Sequence, residues 1–195
     1  MADTTANAPE PLRHPHVRLT GDFDAALFQS LRDQIERSGD ADPLVIEVTT
    51  VGGDAEIGRR AALELRLLRE AGRRVLFLGK TAVYSAGVTM LAAAAVEDRW
   101  LTADTLLLIH GRKLSTPIEL TGHLRDAKRQ AERALAQIVA GLEVEEQGFA
   151  ELAQGSRLSF QELCERATGE WYVTAREAVD LGLVAGIFGP PVATG

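Results

Sequence analysis

A single cysteine, Cys164, leaves the chain without the means to form an intrachain disulfide. It sits in "FQELCERA", a predicted helix, where a lone cysteine reads as a small apolar residue rather than as a catalytic thiol. No CxxC or HExxH spacing occurs, so no metal site and no cofactor is implied. His14 and His16 flank Pro15 without further ligands nearby and are read as a flexible basic spot. Lysine and arginine form no stripe and the net charge is −7, which argues against nucleic acid or anionic membrane as the main partner. The longest largely apolar run, "VTMLAAAAV", is too short to cross a bilayer. The opening "MADTTANAPEPLRHPH" has no basic stretch followed by an apolar one, so the expectation is a cytoplasmic protein without a secretory signal.

What remains is ordinary for a globular domain: 195 residues, 46% hydrophobic and 25% charged. Residues 1–16 are expected to be flexible. "HVRLTG" then reads as a strand, and "DFDAALFQSLRDQIERSG" as a helix capped by Asp22 or Asp24. "PLVIEVTT" is a buried strand ending in "VGGD", and "AEIGRRAALELRLLREAG" a helix closed by Gly72. "RRVLFLG", "SAGVTMLAAAAVE" and "TLLLIHG" continue as strand, helix and strand. The alternation predicts an α/β domain with largely parallel strands buried on both faces.

From Ile118 to about Glu146 the composition shifts to Ala, Leu, Arg, Glu and Gln. Leu124, Ala127, Ala131, Leu135, Ile138 and Leu142 mark one apolar face of a long helix, expected to project and to need a partner surface. Two further helices follow, each with a capping-box signature: Ser159 with Glu162, and Thr174 with Glu177.

Three features at predicted strand ends carry chemistry. Ser85 precedes an apolar helix; on local grounds it reads as a cap, and in company as a nucleophile beside helix amides. His110 closes a strand and is either a structural histidine or a base. Gly52 and Gly53 form an ordinary turn or let backbone approach a ligand closely. Adjacent parallel strands would bring all three to one end of a sheet.

Together these segments resemble the ClpP-like serine peptidases, the proteolytic subunits of the Clp protease. That family's "SPGG", "ASMG" and "MIHQP" correspond to "TVGGD", "YSAGVTMLAAAA" and "LIHG" here, and His110 follows Ser85 by 25 residues, the family's spacing. The family's closing "DRFMSAEEAVEYGLID" corresponds to "EWYVTAREAVDLGLVAG" at 170–186. The resemblance covers about residues 17–187 and implies a ClpP/crotonase-like fold of strand–helix units with a protruding handle helix. Residues 17–116 would form the α/β head, 117–150 the handle, and 151–195 the C-terminal part of the head with a mobile tail.

It also implies roles. Ser85 would be the nucleophile, His110 the base and Glu170 the orienting acid, with Gly53 and Ala86 amides as the oxyanion hole. Glu177 and Asp180 rank below Glu170 as the acid. The substrate would be peptide or unfolded protein. The assembly would be stacked rings, heptameric in the family, with a Clp-type ATPase or an active ClpP-like paralogue as a further partner. No phosphate-binding glycine loop occurs, so ATP hydrolysis would fall to another chain.

The sequence departs from the family at several points. Val51 replaces the loop proline, Gly111 and Arg112 replace Gln-Pro after the histidine, and Tyr84 replaces a small residue before Ser85. Glutamate at 170 replaces the usual aspartate and is one methylene longer. Two other readings stand beside an active peptidase: a catalytically weak ring subunit, and an enoyl-CoA hydratase relative of the same fold.

Overall fold

Four strands and three helices alternate through the first half of the chain: β1 (Val17–Thr20), α1 (Ala25–Arg37), β2 (Leu44–Thr50), α2 (Ala55–Glu70), β3 (Val75–Tyr84), α3 (Ala86–Ala92) and β4 (Arg99–Thr102). The second half holds β5 (Leu106–Ile109), α4 (Leu124–Ala153), α5 (Phe160–Arg166), β6 (Trp171–Thr174), α6 (Ala175–Asp180) and β7 (Gly186–Phe188). This computed structural model describes residues 8–114 and 117–190 of the chain.

The strands form one seven-stranded sheet with a branch. The long β3 is the fork: Phe77–Gly79 pair with β4, whereas Ala82–Tyr84 pair with β5. One arm runs β1-β2-β3-β4-β7, all parallel. The other continues through β5 to β6, which is antiparallel. The central strands are apolar without alternation, as strands covered on both faces must be. Val17, Ile46, Leu76, Phe77 and Leu78 are wholly buried.

Sequence pattern and structure agree closely on α1, α2, α5 and α6. Asp24, not Asp22, caps α1, accepting the Leu27 amide at 2.7 Å. Both capping boxes form as expected. Three strands lie outside the expected set: β4, β6 and β7. β4 opens on a charged residue, Arg99, which is only 2% exposed. Its guanidinium satisfies the carbonyls at the end of α3, Ala92 at 2.8 Å and Ala94 at 3.0 Å. It also faces the carbonyls of Glu151 and Leu152 at the end of α4, and of Leu183. Burial pushes its pKa down to about 10, which still leaves it charged at neutral pH.

The expected flexible segment, residues 1–16, needs correction where it is described. Residues 1–7 lie outside the described residues, as do 191–195 of the expected mobile tail. Glu10–Arg13 form a short 3-10 helix, and Leu12 is buried against Val45, Leu76, Leu78 and Trp100. His16 joins the sheet, exchanging backbone and Nδ1 bonds with Val45 at 3.0 and 3.1 Å. One buried leucine and two sheet bonds are enough to order a segment whose composition is polar.

The long helix α4 spans 30 residues, beginning at Leu124, the first residue of the apolar face and later than the compositional shift at Ile118, and ending later than expected, at Ala153. Only its C-terminal part is packed, against α3 and α5, with Leu152 buried. Leu124, Leu135, Ile138, Val139 and Leu142 are exposed. No described helix is long and apolar enough to cross a membrane.

Candidate active site

The three strand ends singled out from sequence meet at one end of the sheet. Thr50 pairs with Val83 and Tyr84 with Leu108, so the loops after β2, β3 and β5 emerge side by side. Ser85, Ala86, Gly53 and His110 all line one cavity of about 340 Å³. Arg112, Lys113 and Glu145 line it too.

Ser85 follows β3 directly. Its amide donates to the Leu108 carbonyl at 2.9 Å, pinning the turn to the neighbouring strand. Its φ is 52°, a region that non-glycine residues rarely occupy. Its hydroxyl makes no capping bond to α3. Strain that is not repaid by a cap fits a side chain held out for another purpose. The Ala86 amide is the first of α3, where no intrahelical acceptor exists.

The glycine loop shapes the other wall. Gly53 has φ +133° and forms a parallel bridge with Phe23; a Cβ there would lie 2.5 Å from the Phe23 amide nitrogen. Gly52 has φ +110°, and a Cβ there would lie 3.1 Å from the Ser85 Cβ. The loop is fixed without a proline: Phe23 N donates to Gly52 O at 2.7 Å, Asp54 N to Phe23 O at 2.8 Å, and Gly52 N to the Thr50 hydroxyl at 3.1 Å. Val51 is exposed. Tyr84 stays out of the cavity and meets Tyr172 edge-on, ring centroids 5.9 Å apart.

His110 follows β5 and is half-buried. Its Nδ1 lies 2.6 Å from the Gly111 carbonyl oxygen. Glu170 sits one residue before β6, and the Ile109–Trp171 pairing sets it opposite His110. Its carboxylate, however, accepts from Lys113 Nζ at 3.0 Å, and both side chains are exposed. The Lys113 hydrogen bond and charge hold the Glu170 carboxyl below the ordinary glutamate range, with His110 adding a smaller pull. Glu170 is not part of the cavity wall. Glu177 serves its capping box at Thr174.

The segment after His110 is strapped down at four points. Gly111 N donates to Ala167 O at 3.0 Å, and Arg112 N to Glu145 Oε2. The Arg112 guanidinium binds Glu56, and Lys113 binds Glu170. Burial pushes the Glu56 carboxyl up, but the guanidiniums of Arg112 and Arg59 outweigh it and the net shift is down. Glu145, Arg112 and Lys113 were not legible as site residues. Glu145 arrives from a helix far along the chain, and its one local sign is Gly111, which leaves room for it. A Cβ at 111 would lie 2.9 Å from Glu145 Oε2.

Among solved structures the chain is similar to a mutant of ClpP1 from Listeria monocytogenes, with a TM-score of 0.67 and 21% identity over 88% of this chain and 89% of that one. No family model matches the chain, and no curated protein matches it. The fold is therefore the ClpP-like α/β fold read from the motifs.

Proposed function

We propose, for a chain of ClpP-like fold, that it is a serine endopeptidase acting on peptide or unfolded protein. Ser85 Oγ attacks the peptide carbonyl while His110 takes its proton, and the oxyanion forms against the amides of Gly53 and Ala86. His110 returns the proton to the leaving amine, and water then releases the acyl group from Ser85 by the reverse sequence. Glu170 adds negative charge opposite the imidazole, shared with Lys113.

The observation that carries this reading is Ser85 itself. A strained serine with no capping bond shares a cavity with a histidine from the end of β5, with Gly53 from the loop after β2 and with Ala86, the residue that follows it. The exposed apolar face of α4 supports assembly into stacked rings, heptameric by resemblance, with the cavities facing an enclosed cytoplasmic chamber. A Clp-type ATPase would deliver substrate.

A fluorophosphonate or β-lactone probe is expected to label Ser85 in the assembled particle. Ser85→Ala and His110→Ala should each abolish labelling. The Glu170–Lys113 pair favours a second reading, a catalytically weak subunit built into rings with an active ClpP-like paralogue. An unlabelled particle that co-purifies with such a paralogue would select it.

A further inference from the structure

One peptide group stands between His110 and the long helix. The Gly111 carbonyl only accepts, so the His110 nitrogen 2.6 Å away carries the proton and donates to it. Nε2 is then left with its lone pair, the tautomer a general base needs. The amide of the same peptide unit, that of Arg112, donates to Glu145 Oε2. In a trans peptide C=O and N–H point to opposite sides. Imidazole, peptide and carboxylate therefore stand in line, with each hydrogen bond polarising the next.

The arrangement is held from several sides. Gly111 N is tied to Ala167 O, and the Arg112 side chain to Glu56. The missing side chain at 111 is what lets the Glu145 carboxylate come close. Glu170, the acid set opposite His110 by strand register, is engaged by Lys113 instead.

Resting on the reading of Ser85 and His110 as nucleophile and base, we infer that Glu145 is the positioning residue of His110, acting through the Gly111–Arg112 peptide. The task usually given to a carboxylate in direct contact with the imidazole is split here. A backbone carbonyl makes the contact, and a carboxylate from the long helix fixes and polarises that carbonyl.

The test uses the assembled full-length chain with two readouts. One is the rate of Ser85 acylation by a fluorophosphonate. The other is the tautomer of His110 in ¹⁵N spectra of histidine-labelled protein, assigned with His110→Gln. The unsubstituted chain should show the Nδ1–H tautomer. Glu145→Ala should mix the tautomers and slow acylation about tenfold. Glu145→Gln, whose amide oxygen still accepts from Arg112, should recover most of both. Glu170→Ala should slow acylation less than about threefold and keep the tautomer.

Gly111→Ala, which pushes the carboxylate away without removing it, should reproduce Glu145→Ala and covers the case in which that variant misfolds. A native tautomer and rate in Glu145→Ala, or a larger loss in Glu170→Ala, would overturn the inference. If the unsubstituted chain is not acylated at all, the nucleophile reading fails on its own, and the tautomer spectra still decide the role of Glu145.

Discussion

The sheet end that carries Ser85 and the outer part of α4 are built on opposite terms. Around Ser85, the strands β2, β3 and β5 are largely buried within the chain, and the side chains of Ile46, Phe77 and Val83 are wholly enclosed. Along α4, Leu124 is 89% exposed and Leu135 60%. The first region is stabilised by what it already touches. The second owes its helix to a run of good helix formers, and its apolar face is left exposed by the described residues. Substitutions should therefore act on folding in one region and on assembly in the other.

The largest effect is expected in the head. Phe77→Ala removes a wholly buried ring and should cost about 3–5 kcal/mol, lowering the thermal midpoint by roughly 10 °C or more. Next comes Gly53→Ala. It forces a Cβ onto the Phe23 backbone at a φ of +133°, and should cost about 1–3 kcal/mol and most Ser85 labelling. In the long helix, Leu135→Glu with Leu142→Glu should dissociate the particle in sedimentation. The unfolding free energy of the dilute monomer should stay within about 1 kcal/mol of the unsubstituted chain. A monomer as destabilised as Phe77→Ala would break the contrast between the two regions.

Smaller effects test the joints. Thr174→Ala removes a cap bonded to the Glu177 amide at 3.3 Å and should cost about 1 kcal/mol in thermal melts. The capping boxes also set a pH dependence. Backbone and hydroxyl donors at Ser159 and Thr174 hold the Glu162 and Glu177 carboxyls below their ordinary value of 4.5. Their folded values are depressed, so their contribution is complete above 4.5 and lost as pH falls through the folded values. Glu177→Gln should flatten the acid side of a midpoint-against-pH curve.

The same contrast explains what the sequence made legible. Caps, apolar strand runs and the strand-end trio of Ser85, His110 and Gly53 are local patterns, and the fold places them as the patterns imply. β4 escaped notice because its first residue, Arg99, is charged; the carbonyls that satisfy it lie five and seven residues back at the end of α3, with longer contacts to remote ones. β6 and β7 are four and three residues long, too short for periodicity to declare itself. At the site, the family resemblance pointed to Glu170 and the β5–β6 register sets it opposite His110, but the sequence held no sign that Lys113 would engage its carboxylate. Glu145 fell within the long predicted helix and was not singled out. Its reach to the Arg112 amide depends on where α4 crosses the head, which no local pattern records.

Arg99 gives these regions a common pivot. Its one guanidinium grips the end of the short helix that begins at Ser85 and faces the last carbonyls of the thirty-residue rod. The rod is seated against the head from about Val144 to its end at Ala153, and its large apolar residues from Leu124 to Leu142 are exposed. The helix behind the serine hangs from the same pin. One buried cation thus joins the seat of the long helix to the helix that follows Ser85.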